Sequence, residues 1–223
     1  MNRKIRIILG LAAMGGLFCL PWLILGLAPD ESRLGQSYRI FYLHLPLSWW
    51  GLFSFFSVCI SSLIYLRRGK GSVWAEAATE TGLIFMGLGV LTGMFWAKQS
   101  WGVWWRWEPK LFTALLLCLL FGACLLLRKR RLPLEREKKL AAALSIIAFV
   151  NVPFIFMASS AFPGGAHPPL LVLRGGLAGE MWPPLLGTLL ISGLAWLWLS
   201  LLRWERIARK QDNMDKEMQN KLE

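Results

Sequence analysis

The chain has 223 residues, of which 56% are apolar and only 17% are charged, and 25 Lys and Arg against 13 Asp and Glu give a net charge of +12. Soluble domains carry about 45–50% apolar and about 25% charged residues, so this composition excludes a disordered chain, a collagen-like rod and a secreted disulfide scaffold. The apolar residues fall in long blocks, a pattern typical of a polytopic membrane protein.

Six apolar blocks are long enough to cross a bilayer as helices. A helix rises about 1.5 Å per residue, so about 20 apolar residues span a hydrocarbon core of about 30 Å. We therefore predict an all-α fold with six transmembrane helices, at approximately Ile5–Leu27, Leu45–Leu66, Thr81–Trp96, Leu111–Leu127, Leu140–Phe162 and Pro184–Leu202. The first run exceeds the roughly 7–15 residues of a signal-peptide core, so we expect it to be retained. Pro153 predicts a kink in the fifth span, because proline removes the backbone bond to Phe149.

The basic residues predict the orientation of the six spans. Nineteen of the 25 Lys and Arg lie at the N-terminus, in residues 67–80, in residues 128–139 and in the tail from Arg203. The other loops (28–44, 97–110 and 163–183) hold only six. By the positive-inside rule, we expect both termini in the cytoplasm and these three loops on the outer face. Residues 1–204 then form one membrane domain and residues 205–223 a cytoplasmic charged tail, and the net charge suits anionic lipid without nucleic acid.

The four cysteines indicate no chemistry of their own. All of them fall inside apolar blocks, where a free thiol behaves as a small hydrophobic side chain: Cys19, Cys59, Cys118 and Cys124. The chain has no Cys-x-x-Cys-His motif, so we do not expect a covalent c-type cytochrome.

The first outer loop contains one of the two histidines. His44 lies two residues before Pro46, and proline is well placed in the first turn of a helix, so the sequence predicts that His44 caps the outer end of span two. A single histidine at an interface is usually a hydrogen-bonded structural residue, and a ligand role is the alternative. Arg39 is interpreted either as an interfacial anchor or as the partner of an anion.

The second outer loop is the strongest signal in the chain, because four of the thirteen Trp lie within residues 101–107. An aromatic belt at the membrane interface is one interpretation. If the segment is helical, however, one face carries Trp101, Trp104, Trp105 and Glu108, which would form a platform for a large planar ligand. Pro109 begins span four, so Glu108 lies near its N-cap and Lys110 in its first turn, where an anionic ligand would favour the cation.

The third outer loop contains His167 in an irregular stretch rich in Gly and Pro. Both histidines of the chain thus lie on the predicted outer side and flank the Trp loop, which indicates a pair of ligands. Haem iron accepts two axial nitrogens, its porphyrin stacks on aromatic rings and its propionates attract cations. Zinc fits less well, because a zinc site takes about three or four protein ligands.

Residues Trp101–Lys110 resemble the signature of the tryptophan-rich WWD family of haem-handling proteins. The segments Ser37–Pro46 and Asn151–Pro153 are similar to those of its cytochrome c maturation protein C (haem exporter protein C) subfamily, whose length and six spans the chain shares. The chain departs from the family pattern at two places. The usual acid of the motif is Asp, where this chain has Glu108, and the Trp pair expected before His167 is missing.

The resemblance implies a non-covalent haem b with His44 and His167 as its two axial ligands. The implied haem platform consists of Trp101, Gly102, Trp104, Trp105 and Trp107. Arg39, Glu108 and Lys110 would also belong to the haem site, and Lys110 stands where Arg is common in the family. The implied function is not enzymatic: haem is bound at the periplasmic face of a bacterial inner membrane and is delivered to a periplasmic haem chaperone during the biogenesis of c-type cytochromes.

The resemblance also implies partners, namely the ATPase and membrane subunits of an ABC transporter, a small single-span protein and the haem chaperone. Because the chain has no Gly-x-x-x-x-Gly-Lys-Ser/Thr phosphate loop, we expect haem release to be driven by a partner. One alternative is a cytochrome c synthetase of the haem lyase type, which is usually longer and has an additional transmembrane histidine pair. The other is a b-type cytochrome subunit of a redox complex, in which histidines are buried inside helices. The sequence places both histidines outside the spans, which argues against both alternatives.

Overall fold

The computed structural model describes residues 3–30, 35–128, 134–161 and 176–220. Seven α-helices are present in this part of the chain: α1 (Arg3–Trp22), α2 (Phe41–Arg68), α3 (Ser72–Trp101), α4 (Pro109–Leu127), α5 (Leu134–Phe149), α6 (Asn151–Ala161) and α7 (Trp182–Asn220). A π-helical turn (Leu23–Leu27) extends α1, while 3-10 turns (Gln36–Ile40 and Gly179–Met181) precede α2 and α7. The predicted all-α class is confirmed.

Within the described residues, six helical segments are long and apolar enough to cross a membrane: Arg3–Leu27, Gln36–Arg68, Ser72–Trp101, Pro109–Leu127, Glu135–Ala158 and Gly179–Glu217. Their number agrees with the prediction, but several are longer than the apolar blocks. The third span was predicted at Thr81–Trp96, whereas α3 also includes Glu76 and Glu80 near its start. Hydropathy alone missed these turns because both carboxylates are helical residues that pair with arginines of other helices.

The kink predicted at Pro153 is confirmed as a break between α5 and α6. Val150 lies between the two helices, and its N–H donates to the carbonyl oxygen of Ile147 at 3.1 Å. The Asn151 side-chain amide donates to the carbonyl oxygen of Thr113 in α4 at 2.7 Å. The fifth candidate span therefore consists of two helices, and the second of them is joined to α4.

Helices α2 and α3 pack side by side along the centre of the bundle. α5 and α7 also pack against α2, α4 and α7 against α3, and α1 against α7. Glycines line the contact between α2 and α3, where a Cβ would come within 3.0 Å of the facing helix: Gly51, Gly82, Gly89 and Gly93. Small residues at a helix interface let two membrane helices approach closely. This close approach brings His44 of α2 against α3.

One end of the bundle is held together by charged side chains, and we call it the charged end. Four contacts there join different helices: Arg6 with Glu205 (2.5 Å), Arg128 with Glu76 (3.6 Å), Arg203 with Glu80, and the Tyr65 hydroxyl with Glu135 (2.9 Å). These contacts gather the starts of α1, α3 and α5 and the ends of α2 and α4 beside the second half of α7. The opposite end, where α2 begins, α3 ends and α4 begins, is called the tryptophan end.

The predicted charged tail continues α7 without a break as far as Asn220. Its first turns pack on the bundle, since the carboxylate of Glu205 is buried and contacts both Arg6 and Arg209. Residues 212–217 are exposed. The tail is therefore a helical extension of the last span, with its beginning anchored at the charged end.

Candidate functional site

An aromatic cluster occupies the tryptophan end, formed by the start of α2 and the last third of α3. The Trp96 ring packs edge-on against three rings of the α2 segment, namely Tyr38 at 5.9 Å, Phe41 at 6.1 Å and His44 at 5.7 Å between centroids. Tyr42 completes the cluster, with its ring 5.3 Å from that of Phe41. The imidazole of His44 therefore packs on the Trp96 ring of this aromatic cluster.

His44 lies inside α2, in its first turn, and not before it as the sequence predicted. The 3-10 turn Gln36–Ile40 runs directly into α2, and Pro46 follows within the same helix, where it cannot donate the backbone hydrogen bond to Tyr42. The prediction that His44 caps the span from outside was therefore wrong. The argument that both histidines lie outside the spans does not hold for His44.

The Trp-rich segment is not helical, so the predicted alignment of Trp101, Trp104, Trp105 and Glu108 on one helical face was wrong. Helix α3 ends at Trp101 because Gly102 adopts a left-handed conformation (φ 76°), and its N–H closes the helix on the carbonyl oxygen of Lys98 at 3.1 Å. α4 begins only at Pro109. The segment between them is an irregular loop, in which side-chain directions follow no helical period.

The loop nevertheless keeps its aromatic side chains close together. Trp105 and Trp107 lie 5.7 Å apart, Trp104 packs on Phe95 of α3 at 5.3 Å, and the Arg106 guanidinium carbon lies 5.9 Å from the Trp101 ring centre. Trp107 is 77% exposed and Trp104 47%. The loop thus presents a large apolar aromatic surface beside the cluster around Trp96.

Buried polar atoms that lack a hydrogen-bond partner concentrate at the same end. Of the seven such side-chain atoms in the described part of the chain, five belong to this region: Arg39 Nε, Tyr42 Oη, Trp96 Nε1, Ser100 Oγ and Trp105 Nε1. A buried polar group without a partner costs about 1–3 kcal/mol, and native proteins contain few of them. All five groups can donate a hydrogen bond, so together they suit a ligand that carries acceptor oxygens.

The three charged residues of the predicted site lie at the tryptophan end, in the turn before α2 and at the start of α4. Arg39 pairs with Asp30 at 3.1 Å. Lys110 is half-buried in the first turn of α4, and the Glu108 carboxylate is an electrostatic neighbour of its ammonium group. Glu108 occupies the N-cap of α4, as predicted, but its side chain makes no capping hydrogen bond. Its role is therefore not that of a conventional N-cap.

His167 and the irregular segment that contains it lie outside the described residues, which end at Ala161 and resume at Gly176. The structure thus brings His44 together with Trp96, and gives no position for the second predicted ligand. Its ligand role stays a prediction.

Sequence reasoning missed Tyr42 and Trp96, two residues of the aromatic cluster whose side chains have buried, unpaired polar atoms. Tyr42 precedes His44 by two residues and Trp96 precedes Trp101 by five. A signal was present, since Trp96 ends a predicted span and Tyr42 is part of the segment that carried the family resemblance. Their hydrogen-bond state, however, depends on the packing of α2 against α3 and is invisible in the sequence.

The fold and the site together define a polytopic helical membrane protein with an imidazole, an aromatic cluster and unpaired hydrogen-bond donors at one end of the bundle. The model of the family described as "Heme exporter protein C" matches residues 1–220. The chain belongs to this family.

Individual relatives agree with the family match. The chain is 31% identical over 152 residues to heme exporter protein C of Bradyrhizobium diazoefficiens and 30% identical over 132 residues to that of Escherichia coli K12. The alignments cover 67% and 58% of this chain, and 57% and 54% of those relatives. The chain therefore spans little more than half the length of these two relatives. With heme exporter protein C of Haemophilus influenzae it shares 28% identity over 84% of the chain and 78% of the relative.

Proposed function

We propose that the protein binds haem at the tryptophan end and delivers it to a periplasmic haem chaperone during the biogenesis of c-type cytochromes. The observation that carries the proposal is the group of five buried, unpaired donors around the aromatic cluster that holds His44. Haem has flat apolar faces, an iron that takes axial nitrogens and two carboxylates that accept hydrogen bonds, so it matches each part of this set. The names of the family and of its relatives favour the same ligand.

In this proposal His44 supplies one axial nitrogen and His167 the other. The porphyrin lies against the aromatic side chains of the loop, namely Trp101, Trp104, Trp105 and Trp107, with Gly102 leaving room at the end of α3. Arg39 and Lys110 attract the propionates, because an arginine and a lysine both favour carboxylate partners. Glu108 orients a neighbouring cation such as Lys110 and does not cap the helix α4.

The proposed orientation places the tryptophan end at the periplasmic face of a bacterial inner membrane and both termini in the cytoplasm. The basic segments support it, since the charged end gathers the start of α1, the α2–α3 connection, the end of α4 and the extension of α7, and basic loops stay in the cytoplasm. A reporter fused after Glu223 would then be active only in the cytoplasm.

The protein is proposed to transfer haem without making or breaking covalent bonds. Its own residues hold the iron and the carboxylates of the ligand and exclude water from one face of the porphyrin. Energy for release would come from the proposed ABC transporter subunits, with the single-span protein and the haem chaperone completing the complex. Haem is thus the transported ligand in this proposal.

Haem content tests the proposal directly. We expect His44→Ala and His167→Ala each to lose most of the haem that co-purifies with the wild-type protein, because a bis-histidine site depends on both nitrogens. Haem is measured as pyridine haemochrome per mole of folded protein, together with the absorption spectrum. Cys59→Ala is the control, since the Cys59 thiol could in principle bind haem iron and lies on the same helix α2, but has no role in the proposed site. Wild-type haem content and spectrum in the double histidine variant would refute the proposal.

A further inference from the structure

We propose that Gly89 and Gly93 of α3 form a seat for the His44 imidazole, which holds the proton on Nδ1 and directs the Nε2 lone pair to the ligand. The inference rests on the proposed function, because it names the residues that position the proposed axial ligand. Neither glycine lies in the Trp-rich motif. Both come from the helix interface that faces His44.

The first part of the seat is a hydrogen bond. His44 Nδ1 lies 2.8 Å from the carbonyl oxygen of Gly89. A carbonyl oxygen only accepts hydrogen bonds, so Nδ1 is the donor and carries the proton in the neutral ring. The lone pair of the imidazole then resides on Nε2, which is the ring nitrogen left to bind iron. The Thr92 hydroxyl lies 3.0 Å from the same oxygen and 2.8 Å from the carbonyl oxygen of Leu88, so its single proton is shared between the two.

The second part of the seat is the absence of a side chain at Gly93. A Cβ on Gly93 would lie 2.9 Å from His44 Cε1 and 3.1 Å from Nδ1, distances at which the ring must move. The Trp96 ring, 5.7 Å away between centroids, also contacts the imidazole and limits where it can go. Two residues of α3, Gly93 and Trp96, therefore restrict the orientation of the His44 ring.

The hydrogen bond from His44 Nδ1 to the Gly89 carbonyl oxygen would change how strongly His44 binds a metal ion. A histidine ligand that donates its second ring N–H to a backbone carbonyl is fixed in tautomer and orientation and becomes a more basic ligand, and losing such an outer partner typically costs about 10–100-fold in affinity. Gly89 and Gly93 would thus be positioning residues that act through His44 and have no contact with haem themselves.

The test compares Gly93→Ala with Gly87→Ala. Both changes replace a glycine of α3 by the better helix former, but a Cβ on Gly87 meets nothing within 4 Å. We expect Gly93→Ala to weaken haem binding by about 10-fold or more and to shift the axial-ligand signature of the bound haem in electron paramagnetic resonance. Gly87→Ala should keep the wild-type affinity and spectrum. The spectral shift separates a change of the His44 ring from a general loss of structure.

A second measurement examines the seat without haem. In the haem-free protein, Gly93→Ala should lower the melting temperature relative to Gly87→Ala, and this difference should disappear in the His44→Ala background, because removing the ring removes the collision. An equal penalty in both backgrounds, or an unchanged haem spectrum in Gly93→Ala, would overturn the seat. A wild-type protein that binds no haem would overturn the proposed function, while the haem-free comparison would still decide on the seat.

Discussion

The two ends of this bundle treat buried polar groups in opposite ways. At the charged end, side chains from α1 to α7 meet in pairs across helix boundaries, such as Arg6 with Glu205 and Arg203 with Glu80. At the tryptophan end, buried donors such as Tyr42 Oη and Trp96 Nε1 have no protein partner within the residues described. Since both kinds of group are costly to bury, the unpaired donors at the tryptophan end support the proposal that a ligand binds there.

Arg128 is a buried charged residue at the charged end that has partners on another helix. Its side chain is only 4% exposed, and it lies 3.6 Å from Glu76 and 3.4 Å from the Ser72 hydroxyl. Burial lowers the pKa of its guanidinium, and the Glu76 carboxylate opposes that shift. The buried Arg128 charge is stabilised by Glu76 and Ser72, although the Nε atom of Arg128 lacks a hydrogen bond. The charged end therefore fixes the helix ends, and its disruption should affect folding before it affects a ligand.

The largest expected effect follows from breaking the pair at Arg128. Glu76→Ala leaves a buried arginine without its closest carboxylate, and we expect it to lower the free energy of unfolding by about 3 kcal/mol, the lower end of the range for a broken buried pair. Reversible unfolding in mixed micelles measures it. The folded fraction should retain wild-type haem affinity, since the change lies at the far end from His44.

Arg209→Ala is the matched control for this prediction. Arg209 also pairs with a carboxylate, Glu205, at 3.7 Å, but its side chain is 74% exposed. We expect a loss of less than about 0.5 kcal/mol, as for other exposed pairs. Equal losses of unfolding free energy in the two variants would contradict the view that the buried pair stabilises the fold more than the exposed pair does.

Glu108 provides a smaller effect at the tryptophan end. Because its side chain makes no capping hydrogen bond, Glu108→Gln should change the free energy of unfolding by no more than about 0.5 kcal/mol. Glu108→Asp should stabilise the protein by a few tenths to about 1 kcal/mol, because the shorter carboxylate can cap α4. If its charge serves to orient Lys110, only the Gln variant should transfer haem to the chaperone more slowly.

The two Glu108 variants are compared at equal expression, with unfolding and haem transfer measured on the same preparations. Normal transfer by Glu108→Gln would show that the charge has no part in delivery. Slower transfer by both variants would show that delivery needs both the charge and the length of the Glu108 side chain.

Much of the fold was predictable because long apolar stretches of sequence predict membrane helices. The six candidate spans, the break at Pro153 and the N-cap position of Glu108 all follow from local sequence. The charged turns of α3 were missed because Glu76 and Glu80 are stabilised by partners distant in sequence. Gly102 and Pro109, which end α3 and begin α4, were visible, and the shared face considered for the Trp loop held only on the condition of a helix that the loop does not form.

The site was predictable only in its residue types. Histidine, tryptophan and basic residues on one side of the bundle indicated haem, and the motif indicated the family. The setting of His44 depends on Gly89 and Gly93, which lie 45 and 49 residues further along the chain and meet it only when α2 packs on α3. The unpaired state of Tyr42 and Trp96 is likewise a property of packing, which no local pattern encodes.

Two tyrosines at opposite ends of α2 allow the most direct test of the contrast between the ends. Tyr42 is fully buried with an unpaired hydroxyl, whereas the Tyr65 hydroxyl donates to Glu135 at 2.9 Å. Unfolding and haem titration are measured for Tyr42→Phe and Tyr65→Phe. We expect Tyr42→Phe to leave the haem-free protein as stable or up to about 1 kcal/mol more stable and to weaken haem binding about fivefold, and Tyr65→Phe to lose about 1 kcal/mol with unchanged haem affinity. A Tyr42→Phe protein that is less stable without haem and binds haem normally would contradict the account.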